Sequence, residues 1–300
     1  MATVERQDKA RAQAAPPTAL VAHWVGAKVV APGADWRILP GGNTNHVWRI
    51  DPTTPVAPTL VCKLYRPGGD TPLFRNDPEA EAAALRALAG TGLAPGFVAV
   101  AATDAGDSLI YSHVDGRAWT PKDDAGDVGT ALARLHACPV PTGLPKQPSG
   151  DAAMRAQTRD MLAAVGAAGR ELAALEPLAT DAPDVARAFV HGDATAGNAL
   201  VTPTGVTFID WQCPARGDPA EDLAVFLSPA MQVVSGNPPL SLAQADAFLD
   251  AYDSPATVAR YNALRPLFHW RMAAYCLWRA ARGDVGYAQA AALEIAALRG

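Results

Sequence analysis

FVHGDATAGNALVTPTGVTFIDWQ, residues 189–212, sets His191, Asp193, Asn198 and Asp210 among otherwise apolar or small residues. The polar groups stand at the ends of strand-forming runs (AFV, ALV, VTFID) rather than in their middles. VTFID reads as a buried strand ending in Asp210, and ALV as its antiparallel partner through the turn Thr202-Pro203-Thr204-Gly205. Asn198 enters that hairpin and Asp210 nearly closes it, so the two side chains converge at one end. Asp193 sits on the loop that leaves the AFV strand. Taken singly, a His-Gly-Asp is an ordinary turn and a strand-end aspartate is a solvated one. Taken together, two carboxylates and one carboxamide form a set of hard oxygen donors. Such a set suits Mg²⁺, which keeps some waters and binds through few protein ligands plus phosphate.

Around this segment the chain is 300 residues long, 49% hydrophobic and 18% charged, with a net charge of -5. That composition builds a sizeable core and suits a globular protein; the acidic balance argues against a nucleic-acid partner. The N-terminus has no apolar signal region and no run reaches a membrane span, so a cytoplasmic protein without a membrane partner is expected. Cys62, Cys138, Cys213 and Cys276 are far apart with no CxxC pair, as in a chain of reduced thiols rather than a disulfide frame or zinc site.

From Trp36 to Val114 short runs rich in branched and aromatic residues (WRIL, HVWRI, LVCKLY, GFVAV, SLIYSHV) are separated by turn clusters. Among them DPEAEAAALRALAGTGLAP reads as a helix, capped by Asp77, opened by Pro78 and ended by Gly90, Gly92 and Pro95. From Asp124 onward the periodicity is helical, interrupted only by the quoted stretch. The expected architecture is α+β: a small antiparallel-sheet lobe with one helix, over 18–112, then a larger mainly helical lobe, over 113–300. Residues 1–17 read as a frayed arm. A cleft between two lobes is a common place for a ligand.

Lys63 lies inside VCKLY, where an unpaired cation would be expensive to bury. Glu81 answers it. Ala84, Leu85 and Leu88 follow at three, four and seven, so Glu81 points along the core-facing stripe of its helix, while Glu79 is a first-turn dipole charge. The other reading of Lys63 is a snorkelling edge-strand lysine. Asp218 and Glu221 fit a helix-capping pattern.

HGDATAGN with FIDWQCPARGDPAEDLA resembles the catalytic segment of the aminoglycoside phosphotransferase and choline kinase family, whose fold is protein-kinase-like. GGNTNHVWRI, LVCKLY, the Glu81 helix, SLIYSHVDGRAW and ALARLHA match in the same order, so the resemblance spans about residues 36 to 280. It implies Asp193 as the catalytic base, Asn198 and Asp210 as Mg²⁺ ligands, and His191 as a support of the catalytic loop. It implies Lys63, paired to Glu81, as the group reaching the ATP phosphates. Gly41, Gly42, Asn43, Thr44 and Asn45 stand where a phosphate-covering hairpin belongs, Ser112, His113 and Val114 where backbone binds adenine. Asp222 is implied as an anchor of the catalytic loop through backbone N–H groups.

The implied activity is ATP- and Mg²⁺-dependent transfer of the γ-phosphoryl group to a hydroxyl of a small-molecule alcohol. The GGNTN loop and the IDWQ-GDP-DLA spacing lean toward choline or ethanolamine; aminoglycoside, thiamine, homoserine and sugar acceptors stand as alternatives within the family. A protein kinase is disfavoured, because HGD replaces HRD, IDW replaces DFG, and no activation segment ending in APE follows. A nucleotide-binding pseudokinase is the alternative of another class. In PLFHWRMAAYCLWRAAR, Tyr275 and Trp278 share a helix face and match aromatic positions that hold a quaternary ammonium in choline kinases; core packing is the competing reading. Arg271 and Arg282 flank that face, and pairing with acids at helix ends is expected to neutralise them.

Overall fold

The computed structural model describes residues 15–39 and 44–299, and it divides into two compact units. The first comprises Met1–Thr71 with Arg75–Asp115, the second Pro72–Phe74 with Gly116–Gly300. No helix among the described residues is long and apolar enough to cross a membrane.

The first unit is built on five antiparallel strands: β1 (Asp35–Ile38), β2 (His46–Asp51), β3 (Leu60–Leu64), β4 (Phe97–Thr103) and β5 (Gly106–Ser112), ordered β1-β2-β3-β5-β4. β3 is central and buried at every position. Side chains alternate across a strand, so Leu60, Cys62 and Leu64 form one set and Val61 and Lys63 the other. The first set packs in a core with Trp48, Ile50 and Ile110, roofed by Leu20 and Trp24. Those two come from a helix, α1 (Thr18–Gly26), that follows directly on Pro16-Pro17 and was not read from the sequence. The helix that was read is α2 (Pro78–Ala87): the Asp77 side chain accepts from the Ala80 N–H at 2.9 Å, and Pro78 occupies the first turn. Its inward stripe is Ala80, Glu81, Ala84 and Leu85, and Glu79 is exposed.

The second unit is mainly helical. After a short strand, β6 (Arg117–Ala118), come α3 (Ala125–His136), α4 (Asp151–Ala163) and α5 (Gly166–Ala173). The strand-rich interruption follows: β7 (Ala188–Val190), a single 3-10 turn (Ala196–Asn198), β8 (Ala199–Thr202), β9 (Gly205–Phe208) and β10 (Ala215–Gly217). β8 and β9 form the expected hairpin with Thr202 opposite Gly205. β7 pairs not with them but with β10, so the quoted segment leaves one ribbon, builds another and returns. Five further helices complete the unit: α6 (Pro219–Leu227), α7 (Pro229–Val234), α8 (Leu242–Tyr252), α9 (Pro255–Ala280) and α10 (Tyr287–Arg299). α9 is 26 residues long and buries residues on several faces, among them Leu264, Leu267, Trp270, Ala274 and Tyr275. α4, α6 and α10 pack around it.

Candidate active site

In the first unit the ammonium of Lys63 lies 2.7 Å from the Glu81 carboxylate, with both side chains almost wholly enclosed. The Tyr65 hydroxyl donates to the same oxygen, and the Lys63 Nζ stands 5.1 Å from the Tyr65 ring centroid. The edge-strand reading of Lys63 fails, because β3 is the middle strand of five. Asn45 is engaged by the fold at both ends of its amide. Its Nδ2 donates to Asn76 Oδ1 at 2.7 Å, and its Oδ1 accepts from Asn76 Nδ2 at 3.0 Å and from the Arg66 N–H at 3.1 Å. Thr44 is half-buried beside it, and Gly41, Gly42 and Asn43 lie outside the described residues. At the end of β5 the Ser112 N–H donates to Gly96 and the His113 N–H to Thr59, at 2.8 and 2.9 Å. The Val114 N–H makes no backbone hydrogen bond among the described residues.

In the second unit the loop after β7 is fastened by hydrogen bonds to buried groups. The N–H groups of His191 and Gly192 donate to the two carboxylate oxygens of Asp222, at 2.7 and 2.8 Å. Gly192 takes a φ of +80°, and a Cβ there would fall 2.2 Å from the Cys213 carbonyl, so only glycine fits. Asp222 is fully buried. Burial pushes its carboxyl up, yet the hydrogen bond and charge of His136, aided by His191, hold it below the usual carboxylate range. His191 is enclosed between Phe208 and Trp211. Its Nε2 is 3.1 Å from the Ile209 carbonyl, and its Nδ1 accepts the Asp193 N–H at 3.2 Å. A carbonyl only accepts, so Nε2 carries a proton. His191 therefore holds backbone on both sides.

Asp193 and Asn198 meet directly. The Asn198 Nδ2 donates to the Asp193 backbone carbonyl at 2.9 Å and to its carboxylate at 3.1 Å. Both bonds come from the amide nitrogen, which fixes the amide plane and leaves Oδ1 on the opposite side. The Ile209 N–H donates to the Asn198 carbonyl at 2.9 Å, so Asn198 and Asp210 lie at the open end of the β8–β9 hairpin. Asp210 has a φ of +61°. A left-handed aspartate costs roughly 1–3 kcal/mol and persists where neighbours over-determine it. Here the Ile209 bond precedes it and the Trp211 Nε1 bond to the Phe208 carbonyl follows, at 2.8 Å.

The aromatic end of α9 differs from expectation. Tyr275 is 1% exposed, enclosed by Phe74, Trp278 and Tyr287, so no ring face is open to an acceptor. Its place is in the core. Trp278 is half-buried, and the Arg282 guanidinium lies 3.6 Å from its ring centroid. Arg271 pairs with Glu221 at 2.8 Å, which also gives Glu221 a part beyond helix initiation; burial raises its carboxyl and Arg271 opposes that. Arg282 instead donates to the Trp278 carbonyl at 3.0 Å, without a carboxylate partner among the described residues. Between them Arg279, unremarked in the sequence, donates to the Tyr275 hydroxyl at 2.8 Å and pairs with Asp284.

Two further residues escaped the sequence reading. Tyr65 falls two after Lys63, on the same strand face, which was the available signal. His136 stands four after the buried Leu132 in ALARLHA, a motif matched as a whole without a role for its histidine.

The antiparallel sheet unit, the helical unit and this loop define a protein-kinase-like fold. The chain belongs to the phosphotransferase enzyme family, whose profile matches residues 35–267. No curated protein sequence matches the chain. Among solved structures it is similar to a choline/ethanolamine kinase family protein from Mesorhizobium loti, with 20% identity, 98% and 99% of the two chains covered and a TM-score of 0.59. It is similar to choline kinase from Cryptosporidium parvum, with 14% identity, 94% of each chain covered and a TM-score of 0.62. A third is amicoumacin kinase in complex with AMP-PNP, Ca²⁺ and Ami, with 14% identity, 97% and 94% covered and a TM-score of 0.57.

Proposed function

We propose that the protein is an ATP- and Mg²⁺-dependent kinase that moves the γ-phosphoryl group to a hydroxyl of a small molecule. One observation carries this reading: the Asn198 amide is bonded to Asp193 so that an acid and an amide oxygen are presented from one short loop. Phosphoryl transfer needs mainly positioning and neutralisation of spread negative charge. Asp193 would accept the acceptor hydroxyl's hydrogen bond and, late in the transfer, its proton. Its carboxylate is held for this by Asn198, and its backbone by His191.

The donor chemistry fits Mg²⁺. Asn198 Oδ1 and the Asp210 carboxylate would hold it, and when bound the metal would neutralise phosphate charge. Among the described residues no three His, Cys, Asp or Glu side chains form a metal cluster; Mg²⁺ held here would take its remaining oxygens from nucleotide and water. In the nucleotide-binding lobe proposed over residues 18–112, Lys63 would engage the phosphates with Glu81 setting its position. The Ser112 and His113 N–H groups are held by the fold, and the Val114 N–H would serve as the donor to adenine. Residues 113–300 would carry the catalytic loop and the acceptor.

For the acceptor we favour an amino alcohol such as choline or ethanolamine, on the likeness to proteins named for those substrates. The enclosure of Tyr275 leaves Trp278 as the one candidate ring of the pair. ADP release from Mg·ATP, screened against choline, ethanolamine, thiamine, homoserine, sugars and aminoglycosides, tests the proposal. Turnover that depends on an alcohol supports it, and Mg·ATP binding without turnover on any of them would favour the pseudokinase.

A further inference from the structure

The turn that carries Asn198 is closed largely upon itself: the Thr195 N–H donates to the Asp193 carbonyl at 2.8 Å, and the Asn198 N–H to the Thr195 carbonyl at 3.0 Å. The Gly197 N–H instead leaves the turn and donates to the Ser235 hydroxyl oxygen at 3.3 Å. Glycine has the widest choice of backbone angles, so this bond restrains the freest residue of the turn, one before Asn198. The approach is close, since a Cβ on Gly197 would stand 3.5 Å from Ser235 Oγ. Ser235 is itself rigidly carried. It directly follows α7, whose C-terminal end is closed by the Ser235, Gly236 and Asn237 N–H groups, donating to the Met231, Val233 and Gln232 carbonyls at 3.0, 3.0 and 2.9 Å. The other end of α7 is bolted from outside. Ser228 caps it through the Met231 N–H at 3.1 Å, and the Ser228 hydroxyl donates to Glu294 of α10. The same Glu294 oxygen accepts the Ala230 N–H at 3.1 Å, and the second oxygen lies 2.6 Å from His269 Nδ1 on α9. Glu294 is 0% exposed and Ser228 3%, so water does not compete for these bonds.

We propose that Ser235 is a positioning residue for the turn that presents Asn198 to Mg²⁺, acting through the Gly197 N–H from a helix that Glu294 holds in place. Asn198 is bonded at three other points: its Nδ2 on Asp193, its N–H on Thr195 and its carbonyl on the Ile209 N–H. Those partners all lie within residues 193–210 and move with that segment. Ser235 ties the turn to the helical framework outside it. Without the hydroxyl, the Gly197 N–H loses its protein acceptor and the backbone before Asn198 loosens. Asn198 Oδ1 then spreads over more positions, and a cation that demands near-ideal geometry is held less tightly. The proposal rests on Asn198 as a Mg²⁺ ligand.

Ser235→Ala removes one hydroxyl from a half-buried position, and Ser235→Thr keeps it. In the metal-free protein, amide hydrogen exchange read by NMR should speed up at Gly197 by roughly tenfold in Ser235→Ala, the scale of one hydrogen bond. In Ser235→Thr it should stay near wild type. The Mg²⁺ concentration for half-maximal turnover should rise several-fold in Ser235→Ala, with KM for the acceptor and the melting temperature nearly unchanged. In an Asn198→Ala background, Ser235→Ala should add little to the Mg²⁺ requirement, because both act through one ligand. Unchanged Gly197 exchange or an unchanged Mg²⁺ requirement in Ser235→Ala would overturn the proposal, as would a Ser235 effect that persists in full without Asn198. Asn198→Ala alone separates this inference from the metal reading beneath it. If that variant needs no more Mg²⁺ than wild type, the metal assignment itself fails. If it needs more while Ser235→Ala does not, only the positioning role fails.

Discussion

Lys63 and Glu81 form an ion pair of 2.7 Å with side chains 2% and 1% exposed, on the middle strand of the sheet and the first turns of α2. A pair so dry is held because removing one member strands the other; breaking such a pair costs roughly 3–5 kcal/mol. Tyr65 touches both members, its hydroxyl donating to Glu81 and its ring lying under the Lys63 ammonium.

The pair makes a prediction. Lys63→Ala should weaken ATP use, and Glu81→Ala should produce part of the same defect by releasing the lysine. In a double-mutant cycle on kcat/KM for ATP, the two losses should be less than additive, because both act through one contact. Additive losses would mean that the glutamate does not place the lysine for catalysis.

Asp222 predicts a pH dependence of stability. Its carboxyl is lower in the folded state than in the unfolded one, where it titrates near ~4. Its contribution is therefore complete above that value and is lost as pH falls through the folded value. Asp222→Asn should be much less stable than wild type at neutral pH, and the gap should narrow in urea melts as pH is lowered below about 4. A gap that stays constant down to pH 3 or so would show that the carboxylate charge is not what the loop uses.

The hard-oxygen pair makes a metal prediction. Asp210→Ala should raise the Mg²⁺ concentration needed for half-maximal turnover more than Asn198→Ala does, because the aspartate supplies formal charge. Asn198→Ala should add a loss of kcat that excess Mg²⁺ does not restore, since its amide also holds Asp193. Full rescue of Asn198→Ala by Mg²⁺ would deny that second part.

How far the sequence carried is uneven, for physical reasons. The hairpin from Ala199 to Phe208, the cap at Asp77 and the inward Glu81 follow from periodicities of two and 3.6 residues and from turn chemistry, which are local. The residues proposed for the site in the second unit are clustered within one segment of chain, so their spacing could be read directly. What the sequence hid depends on distant packing. α1 lies beyond two prolines that read as the end of an arm, and only the sheet shows why Leu20 and Trp24 are apolar. Tyr275 and Trp278 are three apart on one helix, but Phe74 and Tyr287, which enclose the tyrosine, come from elsewhere in the chain. Arg282 was expected to find an acid and stacks on Trp278 instead, a choice that no spacing rule contains.

Arg282 makes a prediction about the acceptor. Its guanidinium covers a face of Trp278, where a substrate cation would compete with it; an exposed contact of this kind is worth roughly 0.5–1 kcal/mol. With choline as acceptor, Arg282→Ala should lower KM up to several-fold, and Trp278→Ala should raise it, both sparing KM for ATP. An unchanged choline KM in both variants would take Trp278 out of the acceptor site.

Asp193→Asn tests the central claim most directly. The asparagine matches the carboxylate in shape and retains an oxygen for the Asn198 amide, but it cannot take the acceptor's proton. Acceptor-dependent ADP release should fall by roughly 10²-fold or more, the scale of a positioned base, while Mg·ATP affinity by equilibrium titration stays near wild type. Turnover within a few-fold of wild type in that variant would contradict the account.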